Sequence, residues 1–410
     1  MFEAMCRAAK MGDLEELMRL DALDPVSAHL ENNSGETLMH LAAKEGRVKI
    51  VKFMADLEPQ SIDHSDMHAR SPLFVAAENG HAPVIKTLVL LGSKGIDTPD
   101  DRGRTPMYVG ALNGHTSVVK TLVRLGSQTL DVRGEDGWTP MLAAARYGHA
   151  PVIEVLVRLG SRAIDTRNDL GRTPMFVAAL NGHVSAVEML VRLGSTEMDA
   201  LNNGCTPLYA AAQSGQRLVV ETLVRLGSSA LDTPCINGIT PLHAAAREGH
   251  VSTLELLVLL GSTAIDTPNE AGWTPLYVAA CFGHSSVVET LVRLGSKAVD
   301  SPTNDGRVPM YAATLAGRTP VVETLARLGS KAFGSAENYT SLLAREIEPR
   351  RMECTKVLLS LDGVVVDWPV VEEQYRNEVR YRVYFSRSLV NKLLFFLDCE
   401  CNSLSTKRIL

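Results

Sequence analysis

A Thr-Pro pair returns at a nearly fixed step along this chain: Thr105-Pro106, Thr139-Pro140, Thr173-Pro174, Thr206-Pro207, Thr240-Pro241 and Thr274-Pro275. Variants fill the same slot at Thr37-Leu38, Ser71-Pro72, Val308-Pro309 and Thr340-Ser341. The step is 34 residues, except 33 from Thr173 to Thr206 and 32 from Val308 to Thr340. Two more markers keep that register: Gly-His at Gly80-His81, Gly114-His115, Gly148-His149, Gly182-His183, Gly249-His250 and Gly283-His284, and Leu-Gly-Ser as in Leu125-Gly126-Ser127. One such unit is too short to bury its own apolar face. Units of this kind are stable only when they stack in a line, each covering its neighbour.

Each marker has a mechanical reading. Threonine followed by proline is an N-cap and a first-turn residue, so a helix starts there. Pro106 to Asn113 is the expected first helix, and Gly114 can take the left-handed conformation that stops it. Ser117 to Leu125 is apolar at helical spacing and predicts a second helix, ended by Gly126. About a dozen residues rich in Gly, Asp, Thr and Pro then read as a turn or short hairpin. Hydrophobic residues make up 45% of the chain and aromatics only 5%. The core must therefore be built from Leu, Val and Ala, which suits closely packed helices.

These residues resemble the ankyrin repeat, whose signature is a period near 33 with Thr-Pro-Leu-His-x-Ala. Thr240-Pro241-Leu242-His243-Ala244-Ala245-Ala246 followed by Gly249-His250 is close to a full match, and the resemblance runs from about residue 4 to 363. The chain departs from the pattern where Tyr108, Phe176, Tyr209, Tyr277 and Tyr311 stand in place of the histidine. The resemblance implies an all-α ankyrin-repeat solenoid: a curved superhelix of about eleven helix-turn-helix units joined by β-turn or hairpin loops. Residues 1–33 read as an N-terminal capping repeat, 34–336 as regular repeats, 337–365 as a degenerate C-terminal cap, and 366–410 as a non-repeat segment with a frayed tail.

The formal net charge of −6 is mild for this length; it argues against a general nucleic-acid binder but leaves room for a local basic stripe. No apolar run approaches the ~18–20 residues that span a bilayer. The opening Met1 to Cys6 lacks a basic stretch followed by an apolar one, so no signal peptide is read. Seven cysteines without framework spacing fit free thiols in a reducing compartment, cytoplasm or nucleus.

Several features imitate chemistry. The Gly-His histidines come one per repeat, on helices stacked about 8–10 Å apart, whereas zinc ligands lie about 2 Å from their ion. They are expected to hydrogen-bond across the turn. Cys399-Glu400-Cys401 lacks the second pair of a zinc site. The arginines Arg124, Arg158, Arg192, Arg225, Arg293 and Arg327 mostly follow a glutamate by four residues, the favourable helix-surface pairing, and read as a self-neutralised outer face. No phosphate-binding Gly-rich loop, nucleophile elbow or metalloprotease motif occurs, so neither catalysis nor a cofactor or metal is expected.

Repeats that solve one packing problem should differ where packing does not constrain them. Two slots vary most. One precedes Thr-Pro: Arg70, Arg104, Trp138, Arg172, Cys205, Ile239, Trp273 and Arg307. The other is the pair before Gly-His: Leu112-Asn113, Arg146-Tyr147, Leu180-Asn181, Gln213-Ser214, Arg247-Glu248, Cys281-Phe282 and Leu315-Ala316. In the ankyrin family these slots lie on the hairpins and first helices that line a concave groove. Two of three tryptophans occupy a slot expected to face solvent, and Trp, Tyr and Arg are the residues enriched at interface hot spots. The expected partner-binding set is Arg104, Leu112, Trp138, Tyr147, Arg172, Leu180, Trp273, Phe282 and Arg307. The arginines would neutralise acidic groups or stack on aromatic rings. The function expected is a monomeric protein–protein interaction module: adaptor, scaffold or inhibitor. Its alternatives are a substrate receptor of a multi-subunit enzyme such as a ubiquitin ligase, docked through the C-terminal segment, and nucleic-acid binding through Arg376, Arg380, Arg382, Arg387 and Lys392.

Overall fold

Each Thr-Pro pair starts a helix in the way its chemistry requires. The hydroxyl of Thr105 accepts the backbone N–H of Tyr108 at 3.2 Å, that of Thr139 accepts Leu142 at 3.2 Å, and that of Thr206 accepts Tyr209 at 3.1 Å. The following proline needs no partner for a missing N–H. The structure, a computed structural model, describes residues 1–24 and 30–330. The degenerate cap at 337–365, the 366–410 segment with its basic residues, and Cys399-Cys401 lie outside the described residues.

Two compact units are present, Met1–Ala271 and the unit that begins at Gly272. The first contains α1 (Phe2–Met11), α2 (Leu14–Leu23), α3 (Leu38–Lys44), α4 (Val48–Leu57), α5 (Pro72–Glu78), α6 (Ala82–Leu90), α7 (Pro106–Leu112), α8 (Thr116–Arg124), α9 (Pro140–Arg146), α10 (Ala150–Arg158), α11 (Pro174–Leu180), α12 (Val184–Arg192), α13 (Pro207–Gln213), α14 (Arg217–Arg225), α15 (Pro241–Glu248) and α16 (Val251–Leu259). The second contains α17 (Pro275–Phe282), α18 (Ser285–Arg293), α19 (Pro309–Leu315) and α20 (Thr319–Arg327). From α3 on, odd-numbered helices are the short first helices of a repeat and even-numbered ones the longer second helices. Within each unit a first helix packs on the next first helix and a second on the next second.

Small residues make that stacking close. Ala143, Ala144 and Ala145 of α9 are fully buried, as are Val152, Ile153 and Leu156 of α10 that face them. Burial of apolar surface, at roughly 25 cal/mol per Å², is the main stabilising term. Polar joints then fix the register between repeats. His81, His115, His149, His183 and His250 each donate Nε2–H to the carbonyl at the end of the preceding repeat's first helix: Lys44, Glu78, Leu112, Arg146 and Gln213, at 2.8–3.1 Å. Arg47 takes this role at the first joint, its Nε donating to Lys10 at 2.8 Å. The turn glycine is needed twice over: Gly148 has φ 74°, and a Cβ there would lie 2.5 Å from His183 Nδ1.

A second joint was not foreseen. The serine of Leu-Gly-Ser donates to an aspartate of the preceding repeat: Ser93 to Asp63, Ser127 to Asp97, Ser161 to Asp131, Ser195 to Asp165, Ser228 to Asp199 and Ser262 to Asp232, all at 2.5–2.6 Å.

The connecting segments are turns, as expected; among the described residues the extended pairing is a single bridge between Asn202 and Cys205. Most are tight turns, here called fingers, closed by bonds such as Asp100 N–H to Arg104 O at 2.9 Å and Gly134 N–H to Trp138 O at 2.8 Å. Two other expectations are corrected. The arginine ladder is largely not paired within its own helix. Arg158 does reach Glu154 at 2.7 Å, but Arg192 also reaches Glu154, at 3.3 Å, while Arg225 reaches Glu188 and Arg327 reaches Glu289, one repeat back. Helix spacing alone suggested the local pair, but the stacking offset brings the previous repeat's glutamate nearer. Finally, Cys205 and Cys235 are not free thiols. They form a disulfide between adjacent fingers, with Cα atoms 4.4 Å apart. A separation of 30 residues is about one repeat, so the stack turns it into direct contact. The inference from dispersed cysteines to a reducing compartment does not extend to this pair.

Candidate partner-binding face

The fingers and first helices together form one face of each unit, and this is where the variable slots fall. Successive fingers are tied to one another by backbone bonds: Asp101 N–H to His68 O at 3.0 Å, Asp169 N–H to Asp136 O at 3.0 Å, and Glu270 N–H to Asn237 O at 3.1 Å. Residues displayed here are thus held on ordered backbone.

In the Met1–Ala271 unit the most exposed aromatic group is built around Arg146, the last residue of α9. Its guanidinium carbon lies 5.1 Å from the Trp138 ring centroid and 5.7 Å from that of Tyr147. Tyr147 is 49% exposed and stacks on His149 at 6.4 Å. Cation–aromatic contacts of this length are attractive and hold the guanidinium plane in place. Among the described residues no carboxylate lies within 4.0 Å of Arg146. Trp138 is half-buried rather than solvent-facing, because its finger folds it toward α9.

The slot arginines divide into two kinds. Arg104 is held by Asp100: Nε donates at 2.7 Å and Nη2 at 2.6 Å to a carboxylate with no exposed surface. Arg70 is held the same way by Asp66, at 2.8 and 2.7 Å. Burial pushes the Asp66 carboxyl up, but the bonds from the Arg70 side chain and from the backbone of Arg70 and His68 outweigh it and hold it below its usual range. Arg172 has Asn168 in that position and keeps only a ring contact, its guanidinium 5.9 Å from the Phe176 ring centroid, where Arg104 has both Asp100 and the Phe74 ring at 6.0 Å. Leu112 and Leu180 end α7 and α11 half-buried, so they add apolar edge and little more.

In the unit that begins at Gly272, Trp273 is half-buried against Tyr277, ring centroids 5.3 Å apart. Burial pushes the Tyr277 hydroxyl up, and burial likewise pushes the Cys281 thiol up to about 11. Both therefore stay neutral. Phe282 is 40% exposed, and Arg307 lies 5.9 Å from the Tyr311 ring centroid.

The family model for ankyrin repeats in three copies matches this chain over residues 5–100, 89–167, 159–233, 227–300 and 242–335. The chain belongs to the ankyrin-repeat family. Among solved structures, the ankyrin repeat domain of human ASB11 is similar: it is 29% identical, with a TM-score of 0.50, and the match covers 55% of this chain and 99% of that one. No curated protein matches significantly. Ankyrin repeats are general protein–protein interaction modules. Among the described residues no helix is long and apolar enough to cross a membrane.

Within this ankyrin stack, the structure brings Trp138 and Tyr147 together through Arg146, a residue of the variable pairs that was not among the expected contact set. It places Trp273 on Tyr277, the residue that stands in the histidine position of its repeat. It removes Arg104 from the set of available cations, since Asp100 neutralises it. The signal for that was present in the sequence: Asp66 and Asp100 precede Arg70 and Arg104 by four residues, where Asn168 and Thr303 precede Arg172 and Arg307.

Proposed function

We propose that this chain is a protein-binding module whose partner docks on the finger and first-helix face. Trp138, Arg146 and Tyr147 are the main contact group of the Met1–Ala271 unit; Trp273, Phe282 and Arg307 are those of the unit that begins at Gly272. The observation that carries the reading is the Trp138–Arg146–Tyr147 stack. In a chain poor in aromatics, Phe74, Phe176, Tyr209, Tyr277 and Tyr311 are all less than 9% exposed, whereas this group stands at the surface on a cation that no carboxylate neutralises. Truncating such an anchor at an interface centre costs about 2 kcal/mol or more.

The test is affinity capture from native lysate with the full chain, compared with a Trp138→Ala/Tyr147→Ala variant and with Arg225→Ala on the opposite, ladder-bearing helices. A protein held by the wild type and Arg225→Ala, but lost from the aromatic variant, supports the reading. Equal capture by the aromatic variant, or loss with Arg225→Ala alone, refutes it.

A further inference from the structure

The finger of Arg172 contains a buried donor with no acceptor. Asn168 is 4% exposed. Its Oδ1 accepts the backbone N–H of Leu170 at 3.1 Å and of Arg172 at 2.9 Å. Asp100 Oδ1 does the same for Arg102 and Arg104, at 3.1 and 2.8 Å. The other aspartate oxygen receives the arginine side chain, but Asn168 offers Nδ2 at that position, and Nδ2 has no hydrogen-bond partner among the described residues. An amide N–H and a guanidinium are both donors, so they cannot bond. An unsatisfied buried amide costs stability, and one atom's difference, amide to carboxylate, would remove that cost and pin Arg172. The finger retains the unfavourable choice, and its effect is to leave the arginine's charge unneutralised.

Arg146, one repeat earlier, is in the same electrostatic condition, and the unit that begins at Gly272 repeats the arrangement by itself. There Thr303 Oγ1 accepts the Arg307 backbone N–H at 3.1 Å and has no second oxygen for the side chain. In all three cases an aromatic ring lies against the guanidinium and, among the described residues, no carboxylate does, whereas Arg104 has both the Phe74 ring, at 6.0 Å, and Asp100. A ring orients the guanidinium without using its N–H groups, which stay available for bidentate bonds to a carboxylate.

We propose that Arg146 and Arg172 form a carboxylate-recognition site, and that the partner segment docking on this face is an acidic one, its Asp or Glu side chains paired with these two arginines and its apolar groups laid on Trp138 and Tyr147. This rests on the protein-binding reading above and names the chemistry of the partner. A nucleic acid fits less well. Exposed Asp101, Glu135, Asp136 and Asp169 crowd the same finger tips and would repel a continuous run of phosphates, while an acidic peptide can place neutral residues beside them.

The deciding variant is Asn168→Asp. It leaves every residue of the face in place and neutralises Arg172 from within, as Asp100 does Arg104. Because it satisfies a buried group, it folds at least as well as the wild type. The probe is a library of short random peptides displayed on phage and selected on the full-length protein. Selected peptides are expected to be enriched in Asp and Glu. Asn168→Asp, Arg146→Gln, and replacement of the peptide's acids by their amides should each weaken binding about tenfold or more, as loss of a charged hydrogen-bonded pair does. Arg225→Gln should leave affinity unchanged. Peptides that bind this face without acidic residues and tolerate Asn168→Asp would overturn carboxylate recognition and leave the protein-binding reading standing. Single-stranded polyuridylate that binds the wild type but not Arg146→Gln would overturn it in favour of nucleic acid. Absence of any selectable peptide would also overturn it, while lysate capture judges the broader reading independently.

Discussion

Ser161 donates its hydroxyl to Asp131 at 2.5 Å across 30 residues of chain, and the other oxygen of the same carboxylate takes the Arg162 backbone N–H at 2.8 Å. One carboxylate thus closes two bonds to the following repeat. Asp131→Ala should destabilise the protein by roughly 1–3 kcal/mol, the range for hydrogen bonds to a charged group, and Asp131→Asn by less, since one acceptor oxygen survives. Urea unfolding checks the size. Hydrogen exchange checks the place, with faster exchange concentrated around residues 126–163. A Asp131→Ala protein as stable as wild type would show that the serine–aspartate joint adds nothing beyond apolar stacking.

The glycine–histidine joint makes a sharper demand. Gly148→Ala forces a side chain onto φ 74° and into His183, and should cost roughly 1–3 kcal/mol. The two sources of cost can be separated. In a Gly148→Ala/His183→Ala double variant the clash is gone, so the combined loss should be smaller than the sum of the single losses. Strict additivity in thermal unfolding would mean that only backbone strain matters.

Acid should loosen the N-terminal repeats through His40. This residue has no exposed surface; Thr37 donates its backbone N–H to Nδ1 at 3.2 Å, and Nε2–H donates to the Arg70 carbonyl at 2.9 Å. Burial holds its pKa below the ordinary value of 6.5, against the smaller opposite pull of the Arg70 carbonyl and of Asp66. The unfolded chain therefore binds the proton first as pH falls. Stability is full above about 6.5 and is lost as pH drops through the lower folded value. His40→Phe, which copies Phe74 in the next repeat, should flatten this dependence. Hydrogen exchange of residues 37–45 between about pH 7 and pH 5 gives the comparison; equal slopes in both proteins would remove His40 as the cause.

Helix positions were legible because they depend on local chemistry. Thr105 caps and Gly114 stops a helix whatever surrounds them, and with many copies in register the fold followed. Side-chain partners were not legible where the answer lay one repeat away. Arg225 follows Glu221 by four residues but reaches Glu188, because the offset between stacked helices is written in no single repeat. Cys205 and Cys235 looked dispersed along the chain and are neighbours in the stack. The candidate face was legible as a set of variable slots, but not its electrostatics: telling the neutralised Arg104 from Arg172 required reading Asp100 against Asn168 as a pair with the arginine that follows.

The repeat from Thr173 to Thr206 is one residue short, yet the joint beyond it is undisturbed. Ser228 still meets Asp199 at 2.5 Å, with 29 intervening steps where the others have 30. The missing residue is absorbed in the finger, where Asn202 and Cys205 form their isolated bridge. Gain and loss of residues in such a gene can therefore accumulate in the fingers without breaking the joints, and whole repeats can be copied or dropped because the serine–aspartate joint recurs with the same donor and acceptor. The surface freest to drift in evolution is then the one on which we propose that partners dock, so a new specificity can arise while the framework stays intact.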